Sequence, residues 1–138
     1  MQLKIIKNGY LECDKKFITS GVDIGKKTRI PVFCYLIKHS KGNVLIDTGI
    51  SNDYKKTWGK RLEFFKPTIE TDIPSYLKDT KIDYVINTHL HVDHCENNNK
   101  FKNAVIIVQK DEYNAALNPE HEEILSYPDS LNKNLNYK

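Results

Sequence analysis

Apolar residues along this chain gather in short runs divided by polar stretches rich in Gly, Asn, Asp and Lys, the pattern of strands and short helices joined by loops. The sharpest run is Ile30-Pro31-Val32-Phe33-Cys34-Tyr35-Leu36-Ile37, which His39-Ser40-Lys41-Gly42-Asn43 separates from a second, Val44-Leu45-Ile46-Asp47-Thr48-Gly49. Two such runs across a turn predict an antiparallel hairpin buried on both faces at the heart of a sheet. Upstream, Leu3 to Ile6 reads as a short strand, and Gly9 with Tyr10 to Phe17 as a second strand or hairpin return. The Gly, Ser, Asp and Lys between Thr19 and Arg29 mark a loop of the kind that can reach over a site.

From Ser51 to Leu77 the pattern is mixed, with an aromatic cluster (Trp58, Phe64, Phe65) and a helix-like stretch from Ile73 to Leu77. Ile82-Asp83-Tyr84-Val85-Ile86-Asn87 predicts a third strand of the central sheet and Ala104 to Val108 a fourth. Between them, Asp93 onward should enter a short helix or turn, with Glu96 and Asn97 to Asn99 as cap and turn residues. Lys110 to Leu117 reads as a helix closed by Asn118-Pro119, and Glu120 to Leu125 as a further turn or two. Strand and helix alternate beyond residue 80, which predicts an α/β architecture.

Composition narrows the function classes. A chain of 138 residues, 39% hydrophobic and 28% charged, fits one globular domain. Lys and Arg total 21 against 18 Asp and Glu, and the lysines fall in scattered pairs such as Lys15-Lys16 and Lys26-Lys27. These read as a solvated face and give no basis for a nucleic-acid partner. Cys13, Cys34 and Cys95 are odd in number and lack a CxxC spacing, so a reducing compartment is expected, with the cytoplasm as the default. The opening Met1-Gln2-Leu3-Lys4-Ile5-Ile6-Lys7 is broken by charge, and no apolar run approaches the roughly 20 residues of a membrane span, so neither secretion nor membrane insertion is expected.

Candidate chemistry concentrates in one place. His89, His91, Asp93 and His94 put four potential ligands within six residues, directly after a predicted strand, and use three of the five histidines. Imidazole and carboxylate suit zinc and borderline metals such as manganese, iron or cobalt. In an extended segment His89 and His91 point the same way while Leu90 turns into the core. If the chain turns helical at about Asp93, Asp93 and His94 can serve a second ion, the two lying about 3.5–4 Å apart as in two-metal hydrolytic sites.

Asp47, at the end of an apolar strand, has two readings: a turn-forming Asp-Thr-Gly, or an acceptor that fixes the orientation and tautomer of a ligating imidazole. Cys34 and Cys95 fit core and loop better than the site. His39 and His121 read as structural or surface residues. The cluster of Trp58, Phe64 and Phe65 reads as core, with an acyl-chain pocket as the alternative.

Thr88-His89-Leu90-His91-Val92-Asp93-His94 resembles the HxHxDH signature of the metallo-β-lactamase superfamily, and Leu45-Ile46-Asp47-Thr48-Gly49 resembles its companion strand motif. Within that superfamily Ile30 to Ile37, Val105 to Leu117 and the closing Leu135-Asn136-Tyr137-Lys138 resemble the N-acyl homoserine lactonases. The similarity runs over nearly the whole chain, most weakly across 1–29 and 51–79.

The resemblance implies an α/β fold in which residues 1–138 are the N-terminal half of an αβ/βα sandwich, the second half being absent. It implies two zinc ions, with His89 and His91 on one and Asp93 and His94 on the other. The implied reaction opens the ring of an N-acyl homoserine lactone, or a related lactone or ester, by a metal-bound hydroxide, with Asp93 passing a proton to the ring oxygen. Such a reaction quenches acyl-lactone signalling. Other reactions of the superfamily, on thioesters or phosphodiesters, remain the alternative, as does a catalytically incompetent metal-binding remnant.

Two departures stand out. Where family members often carry Gly-Gly after the motif, this chain has Cys95-Glu96-Asn97, and Glu96 is expected to add charge at the rim of the site. The family's remaining ligands (a third His, a bridging Asp and another His) and its catalytic Tyr lie in a second half. A partial site, weak metal binding and an exposed apolar sheet face are therefore expected, with self-association or a complementing C-terminal half as the partner.

Overall fold

Residues 2–14 form one strand rather than two. In β1 (Gln2–Asp14) Asn8 is an extra residue: Lys7 pairs with Phe33, while Gly9 already pairs with Val32. The bulge changes the parity of the strand, so Ile6 before it and Leu11 and Cys13 after it all reach the same buried face. A strict two-residue alternation is thereby broken, which is why the sequence reads as two segments. Asn8 is itself buried, and its side chain accepts from the Ile50 amide at 2.8 Å and donates to Thr71 O at 2.9 Å. Gly9 passes so close to the neighbouring strand that a Cβ would stand 1.9 Å from the Thr68 carbonyl oxygen.

The computed structural model describes residues 1–120, 125–129 and 131–138. Besides β1, the described strands are β2 (Lys27–Lys38), β3 (Val44–Ile46), β4 (Phe65–Ile69), β5 (Tyr84–Ile86) and β6 (Val105–Ile107). They lie in one sheet in the order β4-β1-β2-β3-β5-β6. The hairpin read from the sequence is β2–β3, antiparallel, with Leu36 opposite Leu45. β2 begins earlier than its apolar run because Lys27 to Arg29 pair with Glu12 to Asp14, which shortens the expected loop. β4 was not legible. It is a five-residue strand held by antiparallel pairing to the second half of β1. β3, β5 and β6 run parallel, which makes the sheet mixed.

The expectation that both faces of the hairpin are buried is half right. Cys34, Leu36, Leu45, Val85 and Ile106 line the face covered by α2 (Ile73–Tyr76) and the chain around Ile82 and Ala104. The opposite face consists of two apolar rows running across five strands. One row is Leu3, Ile37, Val44, Tyr84 and Val105; the other is Ile5, Tyr35, Ile46, Ile86 and Ile107. Leu3 is 60% and Ile5 62% exposed. A contiguous apolar face of this width, as expected from the sequence, is what a protein ordinarily covers.

The remaining helices are short: α1 (Tyr54–Thr57), α3 (Val92–Cys95) and α4 (Lys110–Leu117). α4 has the expected bounds. Gln109 caps its start by accepting from the Glu112 amide at 3.0 Å, and Asn118-Pro119 ends it. The further helical turn expected from Glu120 to Leu125, and His121 with it, fall largely outside the described residues. Among the described residues, no helix is long and apolar enough to cross a membrane.

Candidate metal centre

The site forms where two parallel strands end side by side. β3 and β5 are neighbours with Ile46 beside Ile86, so the residues that follow each strand meet at the same edge of the sheet. Asp47 ends β3 by taking a left-handed φ of 56°, and its amide donates to Ile86 O at 2.9 Å. The loop behind it is pinned from three sides. Thr48 N donates to His94 O at 2.7 Å, Asn97 Nδ2 donates to Thr48 O and Ile50 O, and Gly49 leaves no room for a Cβ against Asn8. The asparagines at 97 and 98, expected only as turn residues, are buried cross-links: Asn98 Oδ1 accepts from Thr48 Oγ1, and Asn98 Nδ2 donates to Asn87.

His89 and His91 lie side by side with His94 packed against them, and Leu90 turns into the core as expected. The ring centroids of His89 and His91 are 4.5 Å apart, and those of His89 and His94 only 4.0 Å. His94 therefore packs against His89 rather than standing apart with Asp93, although its Nε2 also lies 3.5 Å from Asp93 Oδ2.

Asp47 orders the protons of this cluster. Its carboxylate, 2% exposed, accepts at 2.8 Å from the Thr88 amide, from Thr88 Oγ1 and from His94 Nδ1. A carboxylate only accepts, so the His94 proton sits on Nδ1 and Nε2 is left with a free lone pair. Thr88, having given its hydroxyl proton to Asp47, can only accept from His89 Nδ1 at 3.1 Å, and this sets the same tautomer on His89. One buried carboxylate thus leaves two Nε2 atoms free to ligate, one directly and one through Thr88.

The electrostatics set the two rings apart. Burial, with the neighbouring His94 and His91, holds His89 below its ordinary value and so neutral. Burial also works against a charged His94, but its hydrogen bond to Asp47 and the charges of Asp93 and Asp47 outweigh this and raise that group, which favours its charged form.

Several expected residues stand elsewhere. Glu96 does not project into the rim. Its carboxylate accepts from Ser51 N and Trp58 Nε1, both at 2.9 Å, and from Thr57 Oγ1, so it fastens α1 to the end of α3. Burial raises it despite these bonds. Cys34 and Cys95 are core thiols that burial pushes far above their ordinary range. His39 lies exposed after β2, where its Nδ1 accepts from the Lys41 amide. Three contributors had no sequence signal: Glu112, whose Oε1 accepts from the Leu90 amide at 2.7 Å, Tyr127, whose ring meets His91 edge-on at 5.0 Å, and Arg61.

A largely apolar hollow of about 220 Å³ opens beside the cluster, lined by Leu11, Phe17, Ile18, Ile30, Trp58 and Phe65 together with the polar Arg61, His91, Asp93 and Ser126. Trp58 and Phe65 also belong to the core around Leu11 and Val32, as the core reading of the aromatic cluster expects. Phe64 instead meets Phe17 edge-on at 5.8 Å. The loop after β1 reaches this hollow through Phe17 and Ile18.

A mixed sheet with a histidine-rich turn at the ends of its parallel strands is an α/β arrangement with its polar groups gathered at the strand ends. The chain belongs to the metallo-beta-lactamase superfamily, whose family model matches residues 28–129. It is 34% identical to an N-acyl homoserine lactonase of Bacillus thuringiensis over 86% of this chain and 52% of that protein. To the N-acyl homoserine lactonase of Bacillus cereus it is 32% identical over 99% of this chain and 58% of that one.

Among solved structures, an N-acyl homoserine lactone hydrolase with the product N-hexanoyl-L-homoserine bound at its catalytic metal center superposes with a TM-score of 0.79 at 32% identity. The match covers 99% of this chain and 58% of that one. A B. thuringiensis AiiA mutant with N-decanoyl-L-homoserine bound at the active site gives 0.80 at 32% identity, over 99% and 58%. The chain spans about half the length of these relatives, and its sheet is the corresponding half of their fold.

The donors fit zinc in kind: imidazole nitrogens and a carboxylate. They fit it only in pairs, because among the described residues no three His, Cys, Asp or Glu side chains group about one point.

Proposed function

We propose that this chain supplies the histidine-bearing half of a two-zinc hydrolase that opens the lactone ring of N-acyl homoserine lactones. The observation that carries the reading is the largely apolar hollow whose lining includes His91 and Asp93, in a chain whose relatives include lactonases, one of them solved with an acyl-homoserine product bound. An acyl homoserine lactone has a matching division, an apolar chain joined to a polar ring. Its chain would lie among Phe17, Trp58 and Phe65, leaving the ring beside the ligands.

In this reading His89 and His91 hold one ion, and Asp93 and His94 the other. Zinc, when bound, supplies polarisation of the lactone carbonyl and a water that ionises near pH ~7. The chain's own residues do the rest. Asp47 and Thr88 keep Nε2 of His94 and His89 unprotonated, and Asp93 carries a proton to the ring oxygen as it leaves. Since the four donors form two pairs, full activity requires further ligands, delivered by a complementing segment seated on the open sheet face.

The test is hydrolysis of N-hexanoyl and N-decanoyl homoserine lactone, followed by product chromatography with zinc, for the chain alone and with a complementing second half from a lactonase relative. The reading expects turnover that depends on both the complement and His91. An acyl-glutathione thioester and a bis-aryl phosphodiester serve as competitors. Turnover of either one without lactone opening overturns the reading.

A further inference from the structure

We propose that Arg61 is a positioning residue for the metal-ligand turn, acting through the segment 125–129. The inference rests on the reading of His89 and His91 as ligands. Arg61 is one of only two arginines in a chain rich in lysine, and it is 3% exposed. Its guanidinium donates from Nε to Leu125 O at 2.8 Å, from Nη1 to Trp58 O at 3.3 Å and from Nη2 to Tyr127 O, and Nη1 lies 2.9 Å from Asp129 Oδ1. Only a planar fork with five donors reaches carbonyls in three directions, and lysine cannot substitute for it.

The segment so gripped has no helix or strand of its own, yet it anchors the ligand turn. Ser126 O accepts from the Val92 amide at 2.9 Å. That amide opens α3 and has no partner within the helix. The Tyr127 ring packs edge-on against His91, and its hydroxyl donates to Glu112 Oε2 at 3.2 Å. Glu112 Oε1 in turn accepts from the Leu90 amide. His91 is therefore held from outside on every side that matters: the amide before it by Glu112, the amide after it by Ser126, and its ring by Tyr127. A four-residue helix cannot fix that geometry by itself. The carbonyls at 125 and 127 are directed by Arg61, so the placement of His91 depends on a residue 30 positions away.

The experiment compares the full chain with Arg61→Lys, Glu112→Ala and Glu112→Gln, measuring zinc affinity by chelator competition and amide hydrogen exchange residue by residue. Arg61→Lys is expected to lower zinc affinity by about 10–100-fold. It should also speed exchange at Leu90 and Val92 while Ile106 and Tyr84, bonded in the sheet region, exchange as before. Glu112→Ala should weaken zinc binding and free the Leu90 amide, and Glu112→Gln, which keeps an accepting oxygen, should restore both. Unchanged protection at Leu90 and Val92 in Arg61→Lys, or lost protection with unchanged zinc affinity, overturns the proposal. If Arg61→Lys unfolds the sheet as well, the Glu112 pair decides: wild-type zinc affinity in Glu112→Ala overturns it. Absence of zinc binding by the unsubstituted chain refutes the ligand reading instead, and the exchange comparison alone then decides whether the clamp exists.

Discussion

Replacing Asp47 by Asn tests the proton order of the site with almost no change of shape. Asn tolerates the left-handed backbone at this position, as Ala does not. The Thr88 amide must face an acceptor, so the new amide oxygen takes the place of Oδ1 and its NH2 replaces Oδ2. That NH2 donates where the carboxylate accepted. Thr88 Oγ1 and His94 Nδ1, both 2.8 Å from Oδ2, must then become acceptors. The His94 proton moves to Nε2, and the Thr88 hydroxyl turns its proton toward His89 Nδ1, which moves the His89 proton to Nε2 as well. Both ligating lone pairs are lost together.

Disturbing one partner of a ligating imidazole typically costs 10–100-fold in metal affinity, equal to about 1.4–2.8 kcal/mol. Stability should fall by only about 1–2 kcal/mol, since hydrogen bonds persist in weaker form. Asp47→Ala should cost more, about 3–5 kcal/mol, because it strands a buried amide, a hydroxyl and an imidazole. Long-range nitrogen NMR of the imidazoles reads the tautomers, chelator competition reads the affinity, and urea unfolding reads the stability. An Asp47→Asn protein whose His89 and His94 keep their protons on Nδ1, with zinc affinity unchanged, would refute the reasoning.

Other outcomes follow from the fold. Gly9→Ala should lose about 3 kcal/mol or more in urea unfolding, because its Cβ meets the Thr68 carbonyl of β4; a loss under half of that would show that the two strands can separate freely. The pair Ile5→Lys with Ile107→Lys should leave the unfolding midpoint nearly unchanged while reducing self-association in sedimentation velocity, and equal association would mean that the open face is not the contact surface. Lys15 and Lys26 hold Asp23 below its ordinary value of 3.8, and the Lys16 and Gly25 amides do the same for Asp14. With folded values depressed, these contacts stabilise the loop above the unfolded pKa and are lost as pH falls through the folded one. Limited proteolysis at 15–26 should accelerate below pH about 4 before the rest of the chain opens; cleavage there that is indifferent to acid would contradict this.

The parts of the molecule legible in its sequence are those whose pattern is local. The hairpin from Ile30 to Ile46 and the helix Lys110–Leu117 carry their periodicity and stop signals within a few residues. β1 was misread because the bulge at Asn8 shifts the alternation by one. β4 was missed because Phe65–Ile69 contains Lys66 and Pro67 and gains its order from pairing with residues more than 50 positions earlier. The histidine cluster was legible because His89, His91, Asp93 and His94 fall within six positions, and Asp47 because a carboxylate at the end of an apolar strand needs a partner. Glu112, Tyr127 and Arg61 left no trace. Each acts chiefly through contacts with residues 15 to 66 positions away, which nothing local in the sequence marks. Glu96 was placed at the rim by its charge alone, whereas three donors from residues 51–58 draw it inward.

The central claim is that the turn from His89 to His94 is a zinc site ordered by Asp47. A zinc titration of the full chain, followed at the imidazole nitrogens, tests it most directly. The account predicts that the Nε2 resonances of His89, His91 and His94 shift together while exposed His39 does not move. Zinc that moves His39 alone, or leaves all three site imidazoles unshifted, would contradict it.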